Sequence, residues 1–231
     1  MLHFYSGHAL QNPSGVDTIV RRGRTRNDGE AKRQAGVILV TSAAPNEGKT
    51  TMALSIARAY AQAGSRVLLI DCDLRRPSVH RQIGQEPDKG IMDYLTGEVG
   101  GKTLKDIVVE DQVKGLELLV GARRSDTATD QLLAGPAFET LIAASRRVFD
   151  VVILDAPPVG PVIDGIYLAR RADAIVFVVR WANTPQPEIR AAITALSDVI
   201  GPDVEIVPVL NSSVISGRQY YGKYASYYSE L

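Results

Sequence analysis

The sequence predicts an α/β fold in which a mostly parallel sheet is sandwiched between helices, and three observations carry that expectation. Short, β-branched apolar runs recur along the chain, as strands buried on both faces require. Amphipathic stretches separate the runs, where crossover helices would return the chain to the next parallel strand. At 231 residues the chain is long enough for one such domain with a substantial core.

The elements follow in order. Strands are expected over 36–41, 66–70, 116–120, 151–154, 174–179 and 204–210. Between the first two, Ala53, Ile56, Ala57 and Tyr60 share one helical face, and Gly64 stands where that helix would be capped. Phe138, Leu141, Ile142 and Ser145 form a second stripe, ahead of Asp150. Residues 1–35 are rich in Gly, Asn, Ser and Arg with little periodicity, so they read as a tail or linker. Within it, Arg21, Arg22, Arg24, Arg26, Lys32 and Arg33 outweigh Asp28 and Glu30. That excess suits a solvated linker or contact with anionic lipid or an acidic neighbour. The chain thus divides into a tail (1–35), a nucleotide-binding domain (36–216) and a tyrosine-rich tail (217–231).

Bulk properties exclude some classes. With 26 basic and 26 acidic residues, no global charge favours nucleic acid as a partner. The single cysteine, Cys72, excludes an intramolecular disulfide and any zinc-type cluster, and reads as a small buried residue. No apolar run approaches the ~18 residues that span a bilayer, and the N-terminus lacks signal-peptide order. A soluble, cytoplasmic chain is expected. Attachment to a membrane partner and origin in a longer membrane protein both stay open.

The chemistry starts after the first strand, where Ala43-Ala44-Pro45-Asn46-Glu47-Gly48-Lys49-Thr50-Thr51 runs into a helix. A phosphate loop (Walker A) needs this context, with backbone N–H groups aimed at phosphate oxygens of ATP. Pro45 to Thr51 would form the nucleotide cradle. Lys49 would reach the β- and γ-phosphates, and the Thr50 hydroxyl would ligate Mg2+. Gly48 lets the backbone pass close to the ligand, and Asn46 tolerates left-handed geometry where glycine is common.

Two strands end in acids. Val67-Leu68-Leu69-Ile70 runs into Asp71-Cys72-Asp73-Leu74-Arg75-Arg76-Pro77, and Val151-Val152-Ile153-Leu154 into Asp155-Ala156-Pro157-Pro158. A carboxylate at such a strand end sits beside hydrated magnesium, a hard cation that takes oxygen ligands. Asp155 fits the direct or second-sphere magnesium partner. Asp71, a second candidate metal group, is placed to orient or deprotonate the attacking group, with Asp73 nearby and Arg75 available to phosphate charge. Asn211 ends the last strand, where its amide could pair with adenine or form a turn.

Together these segments resemble the bacterial tyrosine kinases (BY-kinases), the cytoplasmic autokinases of capsular and exopolysaccharide export. The likeness covers roughly residues 36–231. Its specific items are the Asp71-x-Asp73-x-Arg75-x-Pro77 motif and the Asp155-Ala156-Pro157-Pro158 ending, beside the phosphate loop from Thr41 to Thr50. The family also carries a C-terminal tyrosine cluster, and Tyr220, Tyr221, Tyr224, Tyr227 and Tyr228 crowd one short segment here. The resemblance implies ATP- and Mg2+-dependent phosphorylation of these tyrosines between subunits and control of polysaccharide polymerisation or export. It implies a homo-oligomer, a ring released by phosphorylation, and a location at the inner face of the membrane. A membrane-spanning activator or linked membrane domain and a cognate tyrosine phosphatase are the implied partners. The family's ring-interface pattern, Glu-x-x-Arg-x-x-Arg, is incomplete: Glu30 and Arg33 have the first spacing, and Gly36 stands where the next arginine would be. The alternative is a nucleotide-switched scaffold resembling the partition and septum-positioning ATPases, but the extra lysine of those loops is missing among Ser42, Ala43 and Ala44.

Overall fold

The computed structural model describes residues 35–99, 103–121, 128–160 and 162–212, together with the backbone of residues 5–6. The C-terminal tyrosines and the Glu30–Arg33 pair lie outside the described residues. The elements in chain order are β1 (Tyr5–Ser6), β2 (Gly36–Ser42), α1 (Lys49–Gln62), β3 (Val67–Asp71), α2 (Val79–Ile83), α3 (Ile91–Thr96), β4 (Val109–Glu110), β5 (Leu116–Leu119), α4 (Thr129–Ala134), α5 (Pro136–Val148), β6 (Val151–Asp155), α6 (Asp164–Ala169), β7 (Ala174–Arg180), α7 (Gln186–Ser197) and β8 (Glu205–Asn211).

These strands form one eight-stranded sheet in the order β1-β8-β7-β2-β6-β3-β5-β4. All pairings are parallel except β4 with β5. The six strands expected from the sequence all form. The two additional ones, β1 and β4, have two residues each, too short to leave a periodic signal. The sequence places residues 1–35 in a tail, whereas the structure pairs Tyr5–Ser6 with β8 and buries Ala35. The domain's leading edge is pinned by charge: Asp173 Oδ2 accepts the Val37 N–H and an Arg146 guanidinium N–H, each at 2.7 Å.

Strand periodicity sorts the core into two layers. Val37, Leu39, Leu68, Ile70, Val152, Leu154, Ile175 and Phe177 face one way, toward Phe138, Leu141 and Ile142 of α5 and Ala192 and Leu196 of α7. Ile38, Val40, Val67, Leu69, Val151, Ile153, Val176 and Val178 face the other, toward Met52, Ala53, Ile56, Ala57 and Tyr60 of α1. Both helical stripes read from the sequence are therefore buried. Gly64, at φ +88°, follows α1 in the left-handed conformation that ends a helix cheaply only at glycine.

Phe138 anchors α5 and is fully buried. Phe138→Ala should lower the unfolding free energy by about 3–5 kcal/mol, read as an earlier midpoint in urea with an unchanged slope. A shift below about 1 kcal/mol would mean that α5 is not held by this contact.

Candidate nucleotide and phosphoryl-transfer site

The site occupies the carboxyl edge of the sheet, where β2, β3 and β6 end side by side. Between β2 and α1 the loop takes two left-handed turns, at Asn46 (φ +63°) and Gly48 (φ +91°). Asn46 thus does what its tolerance of that conformation allows.

Glu47 holds the loop from within. Its side chain is buried, with Oε2 accepting the Ala44 N–H at 2.7 Å and Oε1 accepting the Arg180 N–H at 3.2 Å and the Thr184 hydroxyl. Asn211 Nδ2 donates to the Glu47 carbonyl at 2.9 Å, while its Oδ1 accepts the Ser212 N–H at 2.9 Å. A Cβ on Gly48 would lie 2.2 Å from that same Nδ2. Glycine is thus required at position 48 by a protein neighbour as well as by its backbone angle. Asn211, for which the sequence left open an adenine contact or a turn, braces the loop in this structure, with both ends of its amide engaged.

Beyond the loop, Lys49 opens α1 and is nearly buried, and the Thr50 hydroxyl lies 2.8 Å from Ser78 Oγ. The register of β3 on β6 sets Asp71 directly beside Asp155, both at 0% exposure. Asp71 is committed to its own segment. Its Oδ2 accepts the N–H groups of Ser78 and Val79 at 2.9 and 3.0 Å, and Oδ1 that of Asp73 at 3.3 Å. Asp155 is different: among the described residues neither of its buried oxygens has a hydrogen-bond partner. The Thr50 hydroxyl is near enough to favour the charged form of Asp155, yet the hydrogen bond with good geometry is the one it shares with Ser78.

Burial decides the electrostatics. It pushes Asp155 up to about 7, against the pull of the Thr50 hydroxyl and the Lys49 ammonium and with a further push from Asp73. Asp71 is raised well above the usual carboxylate range, first by burial and then by the charge of Asp155, despite the two N–H groups it accepts. Asp73 is raised by burial too, opposed by the Arg76 N–H and the Lys49 charge. Cys72, between them, is buried with its thiol pushed far up, an inert position.

A cleft of about 950 Å³ opens over these groups, lined by Pro45, Asn46, Gly48, Lys49, Thr50, Thr51, Asp73, Arg75, Arg76, Pro77, Ser78, His80, Arg81, Gln82, Pro157, Pro158 and Val162. Asp73 is the acid that lines it, with Asp71 and Asp155 set behind. Arg75 reaches the cleft through an unforeseen support: its Nε and Nη2 donate to the two oxygens of fully buried Asp164 at 2.9 and 3.2 Å. Thr129 donates to Asp164 as well, at 2.7 Å. Sequence reading missed Ser78, Asp164, Thr129 and Thr184. Ser78 directly follows the Asp-x-Asp-x-Arg-x-Pro motif and was the one within reach; Asp164 stands six residues after Pro158 with nothing to mark it, and Thr129 and Thr184 lie farther from any motif.

The fit to a magnesium nucleotide rests on Asp155. A buried carboxylate pair with one member unpartnered, beside a hydroxyl and an ammonium, suits a divalent cation as its missing counter-charge. Among the described residues no cluster of three or more His, Cys, Asp or Glu is arranged to hold a metal. Magnesium commonly takes one or two protein ligands and fills its shell with phosphate oxygens and water, and Thr50 and Asp155 are the residues that would hold it.

A pH dependence follows. The raised acids favour the protonated fold, so their contribution to stability is present below the unfolded pKa near ~3.9 and declines as pH rises toward about 7. A bound cation replaces the proton. Mg-ADP should therefore raise the Tm more at pH 8 than at pH 5.5 in differential scanning fluorimetry, and Asp155→Asn should flatten the difference. Equal increments at both pH values would sink the assignment.

The chain matches the family model described as AAA domain over residues 37–199. It is 35% identical over 187 residues to the succinoglycan biosynthesis transport protein ExoP of Rhizobium meliloti (strain 1021), covering 80% of this chain and 22% of that protein. The chain thus spans about a quarter or less of the length of the larger relatives it matches. Against the tyrosine-protein kinase CpsD of Streptococcus pneumoniae serotype 4 it is 32% identical over 186 residues, covering 80% of this chain and 79% of that one. Among solved structures, the VpsO kinase domain superposes with a TM-score of 0.69 at 30% identity, over 86% of this chain and 93% of that one. With the phosphate loop, the paired strand-end carboxylates and relatives of matching length all in agreement, the chain belongs to the bacterial tyrosine-protein kinases built on an AAA domain.

Proposed function

We propose that the chain transfers the γ-phosphoryl group of ATP, with Mg2+, to the tyrosines of its C-terminal cluster, from one subunit to another. The observation that carries this is the unpartnered Asp155 carboxylate beside Thr50 and Lys49, behind a cleft that Asp73 faces. Lys49 and the N–H groups of the α1 N-terminus hold the phosphates, and Thr50 and Asp155 hold the cation. Magnesium, when bound, spreads and neutralises the charge that develops on the transferred group. Asp73, raised by burial and facing the cleft, accepts the proton of the attacking phenol. The phenol oxygen forms the new bond to phosphorus as the bond to the ADP oxygen breaks. Asp71 acts behind it, fixing the segment that carries Asp73 and Ser78. Arg75, clamped by Asp164, offers its remaining edge to phosphate charge.

The relatives' names point to the setting. Likeness to a succinoglycan biosynthesis transport protein supports a role in polysaccharide polymerisation or export, and kinases of matching length support the transfer chemistry. In that setting the chain works at the inner face of the membrane as a homo-oligomer, with a membrane-spanning activator or a linked membrane domain. No helix among the described residues is long and apolar enough to cross a membrane. A cognate phosphatase would reset the tail.

Mass spectrometry of the protein incubated with Mg-ATP should map several phosphates between Gln219 and Leu231. Lys49→Met should carry none, and tail labelling that persists in that purified variant would overturn the proposal.

A further inference from the structure

We infer that Asp164 and Thr129 are positioning residues for phosphoryl transfer, which hold the Arg75 guanidinium in one orientation and balance its charge. Arg75 then aids the moving phosphoryl group more than it aids nucleotide binding. This role rests on the autokinase reading above and brings in two residues that no motif contains.

Arg75 and Thr129 come from different segments and meet at Asp164. Its Oδ2 accepts Arg75 Nε at 2.9 Å and the Thr129 hydroxyl at 2.7 Å, and its Oδ1 accepts Arg75 Nη2 at 3.2 Å. Both supporting residues are firmly seated. Thr129 opens α4 and Asp164 opens α6, and each stands four residues before a fully buried leucine of its own helix, Leu133 and Leu168. Exposure is lopsided across the ion pair: the Asp164 side chain is at 0% and that of Arg75 at 46%. A carboxylate shut away to serve a half-exposed partner adds little net stability, because its desolvation cost offsets the attraction. What it supplies is direction. Two contacts to a planar guanidinium stop its rotation. The second N–H of Nη2 and both of Nη1 stay unused among the described residues, and Arg75 lines the cleft, so those donors are left to a ligand.

The same arrangement decides which step Arg75 serves. Hydrogen bonding to Asp164 holds the guanidinium above its ordinary pKa, with smaller pulls from the charges of Asp164, Asp130 and Asp73. Its charge is thus balanced from several sides before a nucleotide arrives, and a balanced cation attracts the resting phosphates only weakly. Donors fixed in advance act most where charge shifts during the reaction, since they then cost no reorganisation. The pull of Asp73 on Arg75 sets those donors near the acid proposed to accept the phenol proton. Removing the charge of Asp164 therefore separates the two effects: the nucleotide is held more tightly, and transfer slows.

The test uses the full chain and reads, for each variant, the Tm, the affinity for a non-hydrolysable ATP analogue with Mg2+ by displacement of labelled ADP, and the rate of tail phosphorylation in a single turnover. Asp164→Asn should bind the analogue about threefold more tightly and transfer about tenfold more slowly. Thr129→Val, which keeps the volume and the ion pair, should leave the affinity alone and slow transfer about threefold. Thr129→Ser should restore the parent rate. In an Arg75→Lys background Asp164→Asn should slow transfer no further, because its effect runs through the guanidinium. Analogue affinity that is unchanged or weaker in Asp164→Asn, a Thr129→Val loss that serine does not rescue, or a further loss in the Arg75→Lys background would each overturn the role. Should Asp164→Asn fail to fold, Thr129→Val and its serine rescue decide. The affinity needs no transfer, which keeps the two ideas apart. A parent that labels no tyrosine, with the analogue still tighter in Asp164→Asn, removes the autokinase reading alone. Labelling that Asp164→Asn and Thr129→Val leave at the parent rate removes the positioning role alone.

Discussion

Two carboxylates held side by side and shut off from bulk solvent are the constraint around which this domain is arranged. Asp71 and Asp155 are register partners at the ends of adjacent parallel strands, both fully buried. Neither can ionise cheaply while the other is charged. The chain resolves half of the problem by hydrogen bonding, folding residues 73–79 back so that three backbone N–H groups meet Asp71. It leaves the other half to whatever arrives. Asp155 stays unsatisfied in the protein alone, and Lys49 and Thr50 converge beside it. Stability forgone at one residue leaves a place where a cation would supply the missing counter-charge.

Much of this was legible in one dimension because the signals were local. Strands buried on both faces read as continuous apolar runs, and each run that mattered ended in an acid or opened into the loop. The stripes of α1 and α5 emerged from helical spacing alone. What stayed hidden was pairing over distance. Arg75 looked like a residue at liberty for phosphate until Asp164, 89 positions later, was found beneath it. Asn211 offered a suitable edge for a base, and its use as a brace depends on a carbonyl 164 positions away. Which of two neighbouring acids lines the cleft was likewise undecidable from the Asp-x-Asp spacing, since it turns on how the segment after β3 bends. The two-residue strands failed for another reason: no period can be read from two residues.

The phosphate loop gains its rigidity from neighbours rather than from glycine content. With Ala43 and Asn46 where glycines are common, the loop is stapled by the Glu47 side chain to Ala44 within it, to Arg180 at the end of β7 and to Thr184 beyond that strand. Asn211 then ties it to β8. The strands flanking the nucleotide are thereby fastened to the part that must not move when phosphates bind, which is how a cradle is preorganised.

Evolutionary drift meets this arrangement asymmetrically. At position 48 a side chain is excluded twice, by the left-handed backbone and by the Asn211 amide 2.2 Å from where a Cβ would stand. Shrinking residue 211 removes only the second obstacle, so it gives no licence to depart from glycine. Loss of the asparagine would take one tie from the loop and leave the Glu47 staples, while a side chain at position 48 would still meet the left-handed backbone.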